Sequence, residues 1–130
     1  MKVIDVAVGV IKREQEIYIS KRADDLHQGG KWEFPGGKQE RGETPAQALT
    51  RELQEEVGIH VTHVQDYMLI EHDYGDKCVR LHIQLVDEFS GEPIHLEGQI
   101  SRWVNIAQLS DFDFPAANVA IVNRLQQEFL

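Results

Sequence analysis

Apolar positions along this chain follow two periods. Valine and isoleucine crowd residues 3–11, VIDVAVGVI, which predicts a buried strand. The polar stretch 12–15 turns the chain, and 17–20 returns as a second strand. The loop KRADDLHQGGKWEFPGG is punctuated by two Gly-Gly pairs, with a short strand expected at 32–34. Further strands are expected at 61–74, broken near Gln65, and at 79–86, separated by a turn at Tyr74-Gly75-Asp76. The second alternates cleanly: Val79, Leu81, Ile83 and Leu85 on one face, Arg80, His82 and Gln84 on the other. A turn at Gly91-Glu92-Pro93, a strand at 102–105, a helical turn at 106–109 and a loop at 111–115 follow.

Two segments carry the helical period instead. Ala46, Leu49, Leu53 and Val57 form an apolar stripe. Thr44 suits the N-cap, Pro45 the first helical position and Gly58 the left-handed stop. The second helix spans 116–129, with Val119, Val122, Leu125 and Phe129 expected toward the core. Strands accompanied by two helices, without strict β-α alternation, predict an α/β fold with a mixed sheet packed between helices. No repeat or linker divides residues 1–130, so one domain is expected.

Composition narrows the function classes. Asp and Glu number 22 against 13 Lys and Arg, a formal net charge of −9. That excludes the basic surface that stable nucleic-acid binding requires. It leaves nucleotides open, because metal ions neutralise phosphate locally. The lone cysteine, Cys78, precludes an intrachain disulfide and fits a reducing compartment. No apolar run approaches the ~20 residues of a membrane helix. The apolar start is short, is interrupted by Asp5 and suits a strand better than a signal peptide. A cytoplasmic monomer is the expectation.

The chemistry concentrates at 37–59, GKQERGETPAQALTRELQEEVGI. Glu52, Glu55 and Glu56 stand at i, i+3 and i+4, so their side chains reach a common point about a quarter-turn from the apolar stripe. Carboxylates that close repel one another. Hard oxygen ligands suit Mg²⁺, or Mn²⁺ in its place. The residues by themselves leave two readings open: a cation site or a solvated acidic face. Arg51 is placed to pair with Glu55, and with Glu43 across the entry turn.

The whole stretch follows G-x5-E-x7-R-E-U-x-E-E-x-G-U, U being aliphatic, at Gly37, Glu43, Arg51, Glu52, Leu53, Glu55, Glu56, Gly58 and Ile59. It resembles the signature of the Nudix hydrolases at every specified position. The resemblance implies an α/β/α sandwich and metal-dependent hydrolysis of a nucleoside diphosphate linked to another group. It implies metal ligation by the Gly36 carbonyl, Glu52, Glu55, Glu56 and a distant loop glutamate, Glu97. Glu52 is the first choice of general base and Glu97 the second. Gly37, Glu43, Arg51 and Gly58 would support the box.

KRADDLHQGGKWEFPGGK and DFDFPAAN extend the resemblance to the MutT type, the bacterial oxidised-guanine nucleotide triphosphatases. By that match Arg22, His27, Phe34 and Asn118 contact the nucleotide, a small-molecule triphosphate. Gly36 is a further substrate-binding candidate, and Lys38, after the Gly pair, is either a residue that neutralises phosphate charge or an ordinary exposed lysine. An asparagine amide offers one donor and one acceptor. The N7–H/O6 edge of 8-oxoguanine is complementary to it, whereas ordinary guanine presents two acceptors there. Val119 departs from the subgroup's best-known pattern, which has a carboxylate at that position; Trp32 stands where an aliphatic residue is common and suits either core or pocket wall. Two other classes remain: a Nudix hydrolase of an ADP-sugar, dinucleoside polyphosphate or thiamin-related pyrophosphate, and a non-enzymatic Nudix-fold ligand sensor.

Overall fold

The computed structural model describes residues 2–25 and 29–130; the expectation for His27 lies outside the described residues. The elements in order are β1 (Lys2–Arg13), β2 (Glu16–Lys21), β3 (Trp32–Glu33), β4 (Gly36–Lys38), α1 (Pro45–Val57), β5 (His60–Asp73), β6 (Lys77–Ser90), β7 (Ser101–Asn105), a 3-10 turn (Ile106–Asp111) and α2 (Ala116–Phe129). Strand β1 is the spine. It pairs in parallel with β6 and antiparallel with β2 and β4. Antiparallel β5 lies outside β6, while β3 and β7 both pair with β2. The sheet is therefore mixed.

Successive residues of β1 leave opposite faces of the sheet. Val8 and Val10 enter the core under α2, with Ile83, Leu85, Ile121, Val122 and Leu125. Ala7 and Ile11 enter the core under α1, with Leu49, Leu53, Val57 and Val86. Burial on both faces explains why β1 is almost continuously apolar. Gly9 sets the spacing of α1, because a Cβ there would stand 3.2 Å from Cδ1 of both Leu49 and Leu53. The expected α/β/α sandwich is the observed one, each buried aliphatic contributing about 1.5–3 kcal/mol.

Several local expectations need correction. Residues 36–38, where no strand is expected from the sequence, form β4, whose pairing with β1 overrides the low strand preference of glycine. Strand β5 is continuous, and the expected break near Gln65 appears as register shifts around His63 and between Asp66 and Met68. The polar face of β6 is only partly solvated: Gln84 is buried, and Arg80 and His82, both partly exposed, bind Asp5. In α1 Ala48 is fully buried and Ala46 only partly. In α2 Ile121 is buried whereas Val119 is exposed. Val119 stands three residues before Val122, but on the side of the helix away from Ile121 and Leu125. Trp32 packs edge-on against Phe112 beside the core, 5.3 Å between ring centroids. Among the described residues no helix is long and apolar enough to cross a membrane.

Candidate active site

The local sequence places α1 tightly. Thr44 Oγ1 accepts the Gln47 N–H at 3.1 Å, and Gln47 Oε1 accepts the Thr44 N–H at 2.9 Å, a reciprocal capping box. Gly58 ends the helix at φ 71°, a left-handed conformation that suits glycine. Start and stop being fixed, the rotation of the glutamates is fixed too.

The three glutamates are not equivalent. Glu52 and Glu56 stand at i+3 and i+7 from buried Leu49, so they fall within the buried stripe instead of a quarter-turn from it. Their side chains are 21% and 18% exposed, against 62% for Glu55. Glu56 Oε2 accepts the Gly36 N–H at 3.3 Å. The Glu52 carboxyl lies over Gly37, where an added Cβ would stand 2.3 Å from its carboxyl carbon. Gly36 is required for a different reason: a Cβ there would meet the Ala7 carbonyl oxygen at 2.0 Å, across the β1–β4 pairing. The Gly-Gly pair thus brings the backbone close to β1 at one residue and to the glutamate face at the next.

Arg51 organises the outer side of this face. It donates to Glu43 at 2.8 and 2.9 Å, to Glu52 at 2.9 Å, to Glu55 at 3.4 Å and to the Lys38 carbonyl at 3.2 Å. Beside that guanidinium, and accepting the Glu40 N–H, the Glu43 carboxyl is held down to about 2. Through these contacts Arg51 joins α1 to Glu43 and to the Lys38 carbonyl of β4.

Glu97 reaches the same region from the loop between β6 and β7. A recess of about 110 Å³ is lined by Arg22, Glu33, Glu56, His95 and Glu97. Burial first, and then the charges of Glu33, Glu52 and Glu97, push the Glu56 carboxyl up to about 7, against the pull of the Gly36 hydrogen bond. A second cleft of about 370 Å³ is lined by Val6, Val8, Phe34, Gly36, Gly37, Lys38, Leu81, Pro115 and Asn118, and it shares Arg22 and Glu33 with the recess. Arg22 and Glu33 approach to 3.3 Å at the join. One end of the combined cavity is acidic and the other apolar.

Asn118 lies at the apolar end for a clear reason. It stands three, four and seven residues before Ile121, Val122 and Leu125, on the stripe that α2 turns toward the sheet. Pro115, not Asn118, occupies the N-cap, so Asn118 is not the capping residue of α2. Phe34 is buried and stacks on Phe114, with centroids 5.2 Å apart.

The acidic end fits a hard divalent cation. Its donors are carboxylate oxygens, the buried one disfavours its own ionised form, and the missing side chain at Gly37 makes room for the Glu52 carboxyl. Among the described residues no three of Glu52, Glu55, Glu56 and Glu97 bring ligand atoms within 4.8 Å of one another. Their mutual repulsion and the pull of Arg51 on Glu52 and Glu55 account for that spread.

A NUDIX domain model matches residues 6–124. The chain belongs to the Nudix family. It is 44% identical over 128 residues to the 8-oxo-dGTP diphosphatase of Escherichia coli, an alignment covering 98% of this chain and 99% of that one. It is 31% identical over 122 residues to the CTP pyrophosphohydrolase of the same organism, covering 94% and 90%. A solved structure described as MutT from Aliivibrio salmonicida and Vibrio cholerae superposes with a TM-score of 0.89 at 41% identity, covering 98% of this chain and 100% of that one. The 37–59 stretch lies within the residues that the family model matches.

The structure brings Arg22, Phe34, Gly36, Lys38 and Asn118 to one cleft, and Glu56 and Glu97 to the adjoining recess. Glu52 lies against Gly37, and Glu55 stays on the exposed side of α1. Glu33 and His95, which line the recess, were not singled out from the sequence. Glu33 alternates with apolar Trp32 and Phe34, which was the available signal. His95, buried in a loop between exposed neighbours, gave none.

Proposed function

We propose that this Nudix hydrolase converts 8-oxo-dGTP and water into 8-oxo-dGMP and pyrophosphate. The observation that carries the proposal is the two-ended cavity, with Asn118 and Phe34 at the apolar end joined through Arg22 and Glu33 to Glu56 of the Nudix box and Glu97. Full-length similarity to an 8-oxo-dGTP diphosphatase supports the same substrate. Every group comes from one chain, so a monomer suffices.

Each residue has a role in this proposal. Phe34 and the aliphatic wall of Val6, Val8 and Leu81 take the base plane. Asn118 donates to O6 and accepts from N7–H, a pairing that ordinary guanine cannot complete. Lys38 and Arg22 lie along the phosphates. Glu52, Glu55, Glu56, Glu97 and the Gly36 carbonyl would hold the divalent ion, Mg²⁺ with Mn²⁺ as substitute. A bound divalent cation supplies phosphate charge neutralisation and makes water more acidic. Glu52 takes the water proton, and Gly37 leaves the space in which its carboxylate turns. The water oxygen bonds to the β-phosphorus, and the bridging oxygen leaves with the monophosphate.

The test has two parts. Comparison of kcat/KM for 8-oxo-dGTP, dGTP and CTP should rank 8-oxo-dGTP first; a lead for CTP would overturn the base assignment. Reaction in ¹⁸O-water should label pyrophosphate, and label confined to the monophosphate would place attack at the α-phosphorus instead.

A further inference from the structure

His95 is buried, 8% exposed, while its neighbours Ile94 and Leu96 are 63% and 58% exposed. Apolar burial would give the opposite order. The segment is therefore held by its polar contacts, and these converge on Glu56 and Val57. The Leu96 N–H donates to the Glu56 carbonyl at 2.9 Å, and the Ile94 N–H to the Val57 carbonyl at 3.1 Å. These carbonyls belong to the last turn of α1, which has no helical donors for them. The imidazole completes the connection. Its Nδ1 accepts the Glu97 N–H at 3.3 Å, and its Nε2 lies 3.4 Å from Glu56 Oε1. With Nδ1 acting as acceptor, the ring hydrogen belongs on Nε2, facing the Glu56 carboxylate.

We propose that His95 is a positioning residue of the metal centre, tying the Glu97 backbone to the Glu56 carboxylate so that the loop ligand and the box ligand present to one ion. The inference rests on the metal reading given above. Groups that orient ligating carboxylates are worth roughly 10- to 100-fold in metal affinity. His95 gives this chain a physical link between a glutamate of the box and one 41 residues later, which the box alone does not supply.

The experiment measures Mn²⁺ binding to the nucleotide-free protein by electron paramagnetic resonance of the free ion, so that turnover is not the readout. His95→Leu keeps a buried side chain of similar volume and removes both ring nitrogens. It should raise the Mn²⁺ Kd roughly 10- to 100-fold. His95→Gln, whose amide both donates and accepts, should recover most of that loss, a recovery that simple packing would not produce. In turnover assays the Mg²⁺ concentration for half-maximal rate should rise with the Mn²⁺ Kd, while KM for 8-oxo-dGTP at saturating metal stays within about twofold of wild type, since His95 lines the recess and not the base cleft. If His95→Leu does not fold, His95→Asn, too short to meet both partners, takes its place in the comparison with His95→Gln. Glu56→Gln is measured alongside. An unchanged Kd in the histidine variants with a raised Kd in Glu56→Gln would overturn the role of His95 alone. An unchanged Kd in all of them would overturn the metal reading and this inference together.

Discussion

The two ends of the cavity are built on opposite logics. At the acidic end, Glu52 and Glu56 interrupt the buried stripe of α1, and the chain supplies more negative charge than it neutralises. At the apolar end, Asn118 interrupts the buried stripe of α2 among aromatic and aliphatic walls. In each helix a polar residue occupies a position that packing would assign to a leucine or valine. What differs is the proposed ligand, a cation at one end and a flat, hydrogen-bonding base at the other. Arg51 and the Gly36 N–H offset part of the charge on Glu52 and Glu56, and local rules broken at a buried face mark where a ligand belongs.

The largest effect that tests this contrast is at the acidic end. Glu56→Gln should lower kcat by orders of magnitude, as should Glu55→Gln, since each removes a proposed ligand charge. Their stabilities should differ. The Glu56 carboxyl is raised to about 7, so its contribution to folding is favourable below its ordinary value of 4.5 and is lost as the pH rises through 7. Metal-free Glu56→Gln should therefore melt higher than wild type at pH 8, with the advantage fading toward pH 4.5. Glu55 is exposed, and its change should leave Tm nearly where it was. Equal Tm for wild type and Glu56→Gln at pH 8 would show that Glu56 is not under strain.

Next in size is Gly37→Ala. The new methyl would stand 2.3 Å from the Glu52 carboxyl carbon, at the free end of a flexible side chain that swings away easily. The protein should fold normally, yet kcat should fall about 100-fold, the scale of a 1 Å misplacement of a reacting group. Gly36→Ala would instead press on the Ala7 backbone carbonyl and should cost stability as well. Near-normal turnover in Gly37→Ala would remove Glu52 from the choice of base.

These neighbouring glycines also show how far the sequence could be read. The box is contiguous, with capped ends and a one-helix charge cluster, so α1, its boundaries and the sense of the chemistry follow from local pattern. The stretch GGK has no strand preference, and its role as β4 arises only from β1, some thirty residues earlier. The sequence puts the glutamates about a quarter-turn from the apolar stripe; that Glu52 and Glu56 turn inward while Glu55 stays exposed depends on the burial of Ala48, which widens the stripe. In α2 the stripe drawn through Val119 likewise misses Ile121. Glu97 could be assigned by family resemblance, but its connection to Glu56 through His95 is a tertiary contact with no periodic trace. Asp5, which only interrupted the apolar start, proves to be the carboxylate joining β1 to β6.

At the apolar end Asn118→Ala should lower kcat/KM for 8-oxo-dGTP much more than for dGTP. A buried partner left unpaired costs roughly 1–3 kcal/mol, or about 5- to 150-fold. Because Asn118 is not the cap of α2, circular dichroism should be unchanged. An equal loss for both nucleotides would mean that the amide does not distinguish the oxidised base.

The smallest effect sharpens the comparison by supplying a carboxylate whose partners are already present. Asp5 accepts from Arg80 at 2.7 and 3.0 Å and contacts His82 at 2.9 Å, and these hydrogen bonds hold its carboxyl down to about 2. A lowered value stabilises the fold above the ordinary value of 3.8, and the contribution is lost as the pH falls through about 2. Asp5→Asn should thus melt lower than wild type at pH 7 by an amount that persists to about pH 4 and vanishes near pH 2. Arg80 is partly exposed, so solvent screening limits the loss to about 1 kcal/mol. That corresponds to roughly 4 °C in Tm for a chain of this size. Activity should be unaffected, because Asp5 lines neither part of the cavity described above. Melting curves of metal-free Asp5→Asn and Glu56→Gln against pH should therefore depart from wild type in opposite directions, each in its own window: Asp5→Asn below wild type, converging as the pH falls from about 4 to 2, and Glu56→Gln above it, diverging as the pH rises from 4.5 to 7. Departures in the same direction would mean that the chain satisfies both carboxylates alike, and the acidic end would lose its distinction as the site that an ion from solution completes.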